Sequence, residues 1–497
     1  MINEGTTTSN VEAPVPDNGR GDRLAPGDGL IIGLLMASAS VVLLNEMLLG
    51  VALPTLISDL GITPSTGQWV TTAYLLTMAV LIPATGFIMR RYPLRTIFLT
   101  AMSLFTVGTA IGALAPGIEL LLAGRIIQAI GTAVFVPLLI TTTMRLAPAG
   151  RRGQLMALAT AIPGIAPALG PALAGIVLSQ LTWRWLFILM LPIAVAALAM
   201  GAAKLRNITT PEPITLDMLS LVLSAIGFGA LVYGLSLIGE AVSGHTPIAP
   251  WLPIAVGLAG VAAFVWRQIV LQRGRGALLD MRIFGARSFV VSSLVMFVVC
   301  VNGFGTLIVL PLVLTAVTGL GTLALGLFMV PGGVIITIVS ALSGRVYDRY
   351  GPRPLAIPGA IILAATFWLF TRIDEGTSVW MILTVYLVMS GAQALIWGPL
   401  TTTALASLRA ELQPHGSAAF GTIQQLAGAA GGAILVSAYT IGADASHAGA
   451  LTQAQAVSAA QTAFTTAAII AFAAVLGTLF VGKKQVREVG LSGFQRQ

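Results

Sequence analysis

Runs of about 20 mainly apolar residues recur along this chain of 497 residues, and few folds accommodate that pattern. Fourteen of them are predicted as membrane-spanning helices, over residues 30–57, 68–89, 96–114, 118–144, 153–179, 183–203, 215–238, 250–271, 287–316, 320–344, 353–371, 378–405, 415–441 and 457–481. A helix of this length closes its backbone hydrogen bonds within itself, which lipid requires because it offers no partners. Only 9% of the residues are charged, against about 25% in soluble proteins. The 55 glycines and 26 prolines agree, since membrane helices carry more of both than soluble ones. The predicted class is an all-α membrane protein, which excludes an ordinary soluble enzyme.

An even number of spans puts both termini on one side. With that side cytoplasmic, inner loops and tails hold 23 of the 26 basic residues. Outer loops receive only Arg184 and Arg372, while Arg125 stays inside a span. Lys and Arg favour cytoplasmic loops, so this bias predicts a multi-pass protein with both termini in the cytoplasm. It also spreads the net charge of +8 among separate loops, where it anchors topology and does not form a nucleic-acid surface. Residues 1–29 carry five acids and lack the basic start and short apolar run of a secretory signal. They are expected to form a disordered cytoplasmic tail, with residues 483–497 as a second one.

Several chemistries find no residues to support them. Cys300 is the only cysteine, so no internal disulfide is expected and its role is apolar filling. His245, His415 and His447 are scattered in or beside loops, which predicts no metal centre. Lys204, Lys483 and Lys484 are the only lysines and none belongs to a phosphate-binding loop, so neither ATP nor another cofactor is expected. The expected partners are the bilayer and small molecules, with a monomer as the expected state.

The chain also echoes itself. Gly86-Phe-Ile-Met-Arg90-Arg91-Tyr-Pro93-Leu-Arg95 follows the second span, and Gly344-Arg-Val-Tyr-Asp348-Arg349-Tyr-Gly351-Pro-Arg353 follows the tenth. Secondary transporters are commonly built from paired halves, with the substrate near the midplane between them. The predicted organisation is a six-helix bundle over 30–204, a two-helix insertion and linker over 205–286, and a second bundle over 287–482.

Glu46 is the only carboxylate well inside a predicted span, and Arg125 the only basic residue at similar depth. An ionisable group at mid-membrane costs at least about 2.5–3.5 kcal/mol and is a functional candidate by default. Counting residues from the outer ends, their depths differ by about 6 Å, which permits a salt bridge or a water-bridged pair. Arg keeps its proton under ordinary conditions, so Glu46 is the member able to titrate. Desolvation disfavours a carboxylate's charge and a neighbouring guanidinium favours it. A site whose water access alternates can thus load a proton on one side and release it on the other. Asn45, Gln128, Asn302, Gln393, Gln424 and Gln425 add sparse polarity within the spans, with Trp69, Tyr74, Trp397 and Met47 as apolar or aromatic lining. Such a cavity suits bulky lipophilic, often cationic, compounds. For Trp183, Trp185, Trp251 and Trp380, near span ends, placement in an interfacial aromatic belt is the competing expectation.

Longer motifs carry a family resemblance over about residues 30–482. They are Leu44-Asn45-Glu46 with Val51-Ala52-Leu53-Pro54, Gly124-Arg125-Ile-Ile-Gln128, Gly170-Pro171 with Gly175, Trp183-Arg184-Trp185-Leu-Phe187, and Gly416-Ser417-Ala418 with Gln424-Gln425. The chain resembles a major facilitator transporter, specifically the fourteen-helix drug–proton antiporters and among them the lincomycin-resistance-type exporters. That resemblance implies a proton-coupled antiporter exporting lipophilic or cationic drugs across a bacterial plasma membrane. It marks Gly344, Asp348, Arg349, Gly351 and Arg353 as a loop motif for conformational change, with Gly86 and Arg91 in a degenerate first copy. Arg90 and Pro93 stand there where the family has Asp and Gly, and Asn45 stands where the family places its first-span acid. Gly170 and Pro171 resemble the antiporter motif of the fifth span, where Pro163, Pro167 and Pro171 put three kinks on one face. Two other readings stay open, an exporter of an endogenous metabolite, lipid precursor or siderophore, and a membrane sensor that keeps the fold without transporting.

Overall fold

The computed structural model describes residue 24, residues 27–148, residues 155 and 159, and residues 169–208, 217–242, 248–272, 277–443 and 452–482. Its longer helices are α1 (Asp28–Leu60), α2 (Pro64–Gly67), α3 (Trp69–Arg91), α4 (Leu94–Leu114), α5 (Ile118–Leu146), α6 (Leu169–Gln180), α7 (Arg184–Lys204), α8 (Met218–Val242) and α9 (Trp251–Leu271). They continue with α10 (Arg287–Thr318), α11 (Thr322–Tyr350), α12 (Arg353–Phe370), α13 (Val379–Ala406), α14 (Gln413–Gly442) and α15 (Gln453–Leu479). Among the described residues 13 helical segments are long and apolar enough to cross a membrane, and α6 is the described end of the fifth predicted span. Pro163 and Pro167, His245 and His447, and residues 1–23 and 483–497 lie outside the described residues.

Local chemistry sets the helix ends. Gly61 and Gly319 close α1 and α10 in the left-handed conformation, at φ 61° and 66°, where a side chain would be strained. Pro64 opens α2 behind Thr63, whose hydroxyl accepts the Thr66 N–H at 3.1 Å. The echoed segments are more helical than the loops predicted for them. Arg90, Arg91 and Arg349 ride in the last turns of α3 and α11, where cations offset the exposed carbonyl ends. Only Tyr92-Pro93 and Gly351-Pro352 break the chain, and Gly351 turns it at φ 81°, which explains the glycine.

The helices sort into two bundles. In the first, α4 packs on α5 and α7, α3 on α5, and α1 on α5 and α7. In the second, α10 packs on α13, α14 and α15, α12 on α13 and α15, and α11 on α13. The bundles meet where α3 runs along α14, α1 lies on α10, and α6 touches α11. Small residues make these approaches possible, since lipid supplies no hydrophobic drive and close van der Waals packing must do the holding. A Cβ added to Gly326 would sit 2.5 Å from the Pro171 carbonyl oxygen and 2.6 Å from Gly175 Cα. Gly428 and Gly432 play the same part on α14, against Leu75 and Thr72 of α3.

The inserted helices do more than link the bundles. α8 and α9 pack through Gly227 and Gly260, backbone against backbone, and α8 lies along the α3–α14 seam. There Tyr233 meets Trp69 at 6.1 Å between ring centroids, and the Ser437 hydroxyl donates to the Leu235 carbonyl at 3.2 Å. Trp69 therefore packs against the insertion. At the opposite end Arg267 donates twice to Asp217, each bond 2.6 Å long, and this pairing holds the Asp217 carboxyl down at about 2. The charge pair is therefore present at any pH above that value and is lost as pH falls through it. Trp183 also departs from the interfacial belt. It is wholly buried and donates its ring N–H to Asp59 Oδ2 at 2.8 Å, because Arg184 lies over its outer face, 4.3 Å from the ring. Trp251 and Trp380 stay exposed near helix starts, as an interfacial belt requires.

The atoms facing Gly326 are backbone and cannot rotate away. Gly326→Val should therefore wedge α6 from α11 and separate this end of the two bundles. Spin labels on Glu119→Cys and Glu375→Cys, one on each bundle, should report a longer and broader distance in the variant, with buried Cys300 not competing for label. An unchanged distance would contradict the close approach.

Candidate functional site

Arg125 sits in α5 with 0% of its surface exposed, and four helices supply what it touches and what steadies those contacts. Its Nε donates to the Val70 carbonyl of α3 at 3.1 Å, and its Nη1 donates to Asn45 Oδ1 of α1 at 3.2 Å and to Gln128 Oε1 at 2.9 Å. The face of the Tyr74 ring lies 3.8 Å from the guanidinium carbon, a contact whose attraction grows once water is excluded. Gln128 is fixed in turn, donating to Thr109 Oγ1 of α4 at 2.7 Å. The Tyr74 hydroxyl donates to Thr132 Oγ1 at 2.7 Å, and Thr132 donates to the Gln128 carbonyl at 3.0 Å. Arg125 and Gln128 stand three residues apart on one helix face, the spacing that brings side chains together.

Two glycines bring α4 this close to α5. A Cβ on Gly108 would lie 2.5 Å from the Gly124 carbonyl oxygen and 2.6 Å from the Gln128 nitrogen. Without that approach Thr109 would not reach Gln128. The segment Gly124-Arg125-Ile-Ile-Gln128 thus combines a packing glycine with the two polar groups that its packing aligns.

Glu46 is not part of this lattice. It is 7% exposed, and it forms no hydrogen bond or ion pair with any described residue. The direct Glu46–Arg125 salt bridge allowed by their similar depths is absent. The reason is rotational, because successive helix residues point about 100° apart and α1 turns Asn45 toward Arg125. Glu46 remains within Coulomb range of both Arg125 and Tyr74. The site thus holds a buried cation on neutral acceptors and, beside it, a carboxyl group with no protein partner among the described residues. Its neighbour Met47 packs on α6, where a Cβ on Gly170 would come within 2.6 Å of Met47 Cβ.

The other expected lining residues divide. Asn45 and Gln128 are consumed by Arg125, and Tyr74 is wholly buried beneath it, so none of the three lines an open cavity in this conformation. Asn302 of α10 is also fully buried, with Nδ2 donating to the Val298 carbonyl at 3.3 Å and Oδ1 without a partner. Gln393 of α13 is half-buried beside Gly303, and its Nε2 has no partner. Gln424 and Trp397 are half-buried, and Trp397 packs on the second bundle's core. Gln425 reaches Met78 Sδ across the seam at 3.3 Å. Thr109, Thr132 and the Val70 carbonyl carry no signal in the sequence, since a threonine in a span usually bonds only its own helix. Among the described residues no cluster of His, Cys, Asp and Glu could hold a metal ion.

The echoed segments meet the two bundles in matching places. Arg95 opens α4 and donates to the Ala202 carbonyl near the end of α7 at 2.7 Å. Arg353 opens α12 and donates to the Val481 carbonyl just past α15 at 2.8 Å. In each half the last arginine of the motif satisfies a carbonyl that the sixth helix leaves open. Arg91 is exposed, Arg349 stacks on Tyr350 at 5.3 Å, and Gly86 and Gly344 face open space. The Asp348 side chain lies outside the described residues.

Comparison with known proteins adds the family context. The family model described as Major Facilitator Superfamily matches residues 35–432. The chain is similar to the uncharacterized MFS-type transporter YcnB of Bacillus subtilis (strain 168), 36% identical over 92% of this chain and 95% of that protein. It is also similar to the lincomycin resistance protein LmrB of Listeria monocytogenes serovar 1/2a, 34% identical over 83% of this chain and 86% of that one. In fold it resembles a bacterial homologue of the human lysosomal transporter Spinster, inward-facing and unoccupied, with TM-score 0.66, 13% identity, and coverage of 92% of this chain and 96% of that one. The inward-open xylose transporter XylE of E. coli aligns with TM-score 0.60 at 16% identity, over 93% of this chain and 98% of that one.

Removing the Asn45 amide deprives a buried guanidinium of one acceptor. Asn45→Ala should cost about 1–2 kcal/mol of stability, read as a lower unfolding midpoint in detergent, whereas Asn45→Asp should preserve it by pairing with Arg125. Equal behaviour of the two variants would contradict the contact.

Proposed function

The chain belongs to the Major Facilitator Superfamily, and we propose that within this family of transporters, which are not enzymes, it is a proton-coupled antiporter exporting lipophilic or cationic compounds. The observation that carries this reading is the carboxyl of Glu46, on a side chain only 7% exposed and without a partner among the described residues, beside an arginine held by other groups. Similarity to proteins named for lincomycin resistance supports export of drugs in particular.

In the proposed cycle Arg125 is a fixed charge. It cannot shed its proton, and Asn45, Gln128 and the Val70 carbonyl hold it in place. Glu46 is the group that changes. When its carboxyl is protonated, the dry site carries the guanidinium charge alone, and when it is ionised the site is neutral overall. A cationic substrate entering between the bundles favours the ionised carboxylate and displaces the proton, while loss of substrate on the far side lets a proton return. Exchange follows because substrate and proton compete for one negative charge. The faces carrying the basic loops are cytoplasmic in this reading, so the cargo leaves and protons enter. Gln393, Gln424, Trp397 and, after rearrangement of α10, Asn302 would contact the cargo from the second bundle. The glycine contacts at Gly170, Gly175 and Gly326 let α1, α6 and α11 slide as the bundles rock. Gly344, Asp348, Arg349, Gly351 and Arg353, with Gly86 and Arg91, form the short connections that move with them.

Ethidium efflux from proteoliposomes under an imposed pH gradient tests the proposal. The parent should export dye with proton uptake, and Glu46→Gln, at equal protein level, should lose gradient-driven efflux by at least about tenfold, the factor that 1.4 kcal/mol represents. Coupled efflux retained in the variant would refute the role of Glu46, and no dye movement by a folded parent would refute drug export.

A further inference from the structure

At the ends of α10, α12 and α15, on the face of the molecule that carries the basic loops, a half-open cavity of about 220 Å³ is lined by Arg287, Ser288, Arg353, Leu479, Phe480 and Gly482. Among the described residues its charge is unbalanced. There neither Arg287 nor Arg353 meets a carboxylate, and Arg353 engages them through Nε, at the Val481 carbonyl, with neither Nη group hydrogen-bonded. Both arginines open helices, so the positive ends of α10 and α12 converge on the same space. The matching corner of the first bundle is closed instead. There Asp28 opens α1 and pairs with Arg206 just beyond α7. The second bundle puts Arg287 where the first has that acid, so among the described residues its corner keeps two guanidinium groups without a countercharge.

The walls indicate how a ligand would lie. Leu479 and Phe480 are 53% and 60% exposed at the end of a helix long and apolar enough to cross a membrane, an apolar surface that acyl chains would cover. Ser288 offers a hydroxyl within reach of the Gly482 backbone, where an added Cβ would stand 3.0 Å from Ser288 Oγ. Planar guanidinium forks match phosphate oxygens in geometry and charge, and basic pockets between helices on this side of a membrane take lipid headgroups. We propose that this cavity is a phosphate-binding site at the membrane surface, with the phosphate presented by an anionic phospholipid whose chains rest on Leu479 and Phe480. The site lies apart from Glu46 and Arg125 and does not depend on what the protein transports.

Native mass spectrometry of the full chain in mild detergent, titrated with phosphatidylglycerol or with phosphatidylcholine of the same acyl chains, tests the proposal. The parent should retain phosphatidylglycerol in preference. Arg287→Gln, which removes a side chain with no protein partner among the described residues, should weaken that retention by about fivefold, the value of one basic group near a lipid surface. Arg345→Gln removes the same charge from α11 outside the cavity and should leave retention unchanged, and Arg287→Lys should recover part of it. Thermal unfolding in inorganic phosphate against chloride at matched ionic strength separates the sources. A phosphate shift lost in Arg287→Gln, without lipid preference, would assign the site to soluble phosphate. Absence of both effects, or an equal loss in Arg287→Gln and Arg345→Gln, would overturn the site.

Discussion

A guanidinium that cannot lose its proton is held inside the first bundle, fully shielded from solvent, and the surrounding structure follows from that constraint. Hydrocarbon offers nothing to an unsatisfied donor, and the chain brings acceptors to Nε and Nη1 of Arg125 from α1, α3 and α5 and a π-face from Tyr74, while Nη2 keeps no hydrogen-bond partner among the described residues. Those acceptors need fixing too, which draws in Thr109 and Thr132, and the helices reach them only because Gly108 and Gly124 let α4 and α5 touch. Packing and polarity are therefore one requirement in this bundle. Glu46 is left out of the lattice, and in the proposed cycle it is the group whose ionisation changes while the lattice stays intact.

The two bundles repeat a design and then depart from it. Arg95 and Arg353 tie the third helix of each set to the end of the sixth. The first bundle balances its neighbouring corner with Asp28 and Arg206, while in the second Arg287 and Arg353 line an open cavity without a carboxylate partner among the described residues. Each bundle keeps buried polar atoms without hydrogen-bond partners among the described residues, including Arg125 Nη2 and Gln68 Nε2 in the first and Asn302 Oδ1 and Gln393 Nε2 in the second. The inserted pair α8 and α9 spans this asymmetry, clamped at one end by Asp217 and Arg267 and laid along the α3–α14 seam at the other.

Much of this was legible in the sequence because the bilayer penalises exceptions heavily. Apolar length and the placement of arginines give the spans, and the cost of a mid-membrane charge is enough to single out Glu46 and Arg125. What the sequence does not contain is azimuth. Asn45 and Glu46 are neighbours about 100° apart, and only the packing of α1 on α5 and α7 decides which of them faces Arg125. The same limit applies to Trp183, whose position at a helix start suggested lipid contact, and to Trp69, whose partner Tyr233 lies far along the chain in an inserted helix. Gly86 and Gly344 belong to the repeated motif yet face open space in this conformation, whereas Gly108, outside every motif, is where α4 meets the backbone of α5 beside the site.

In the proposed cycle the protonation of Glu46 answers to substrate, while Arg125 stays fixed. Infrared difference spectroscopy of the purified protein, recorded with and without ethidium as a function of pH, addresses this directly. The proposed cycle requires a protonated-carboxyl C=O band that substrate removes and that Glu46→Gln lacks. A band that substrate leaves untouched, or that persists in Glu46→Gln, would contradict it.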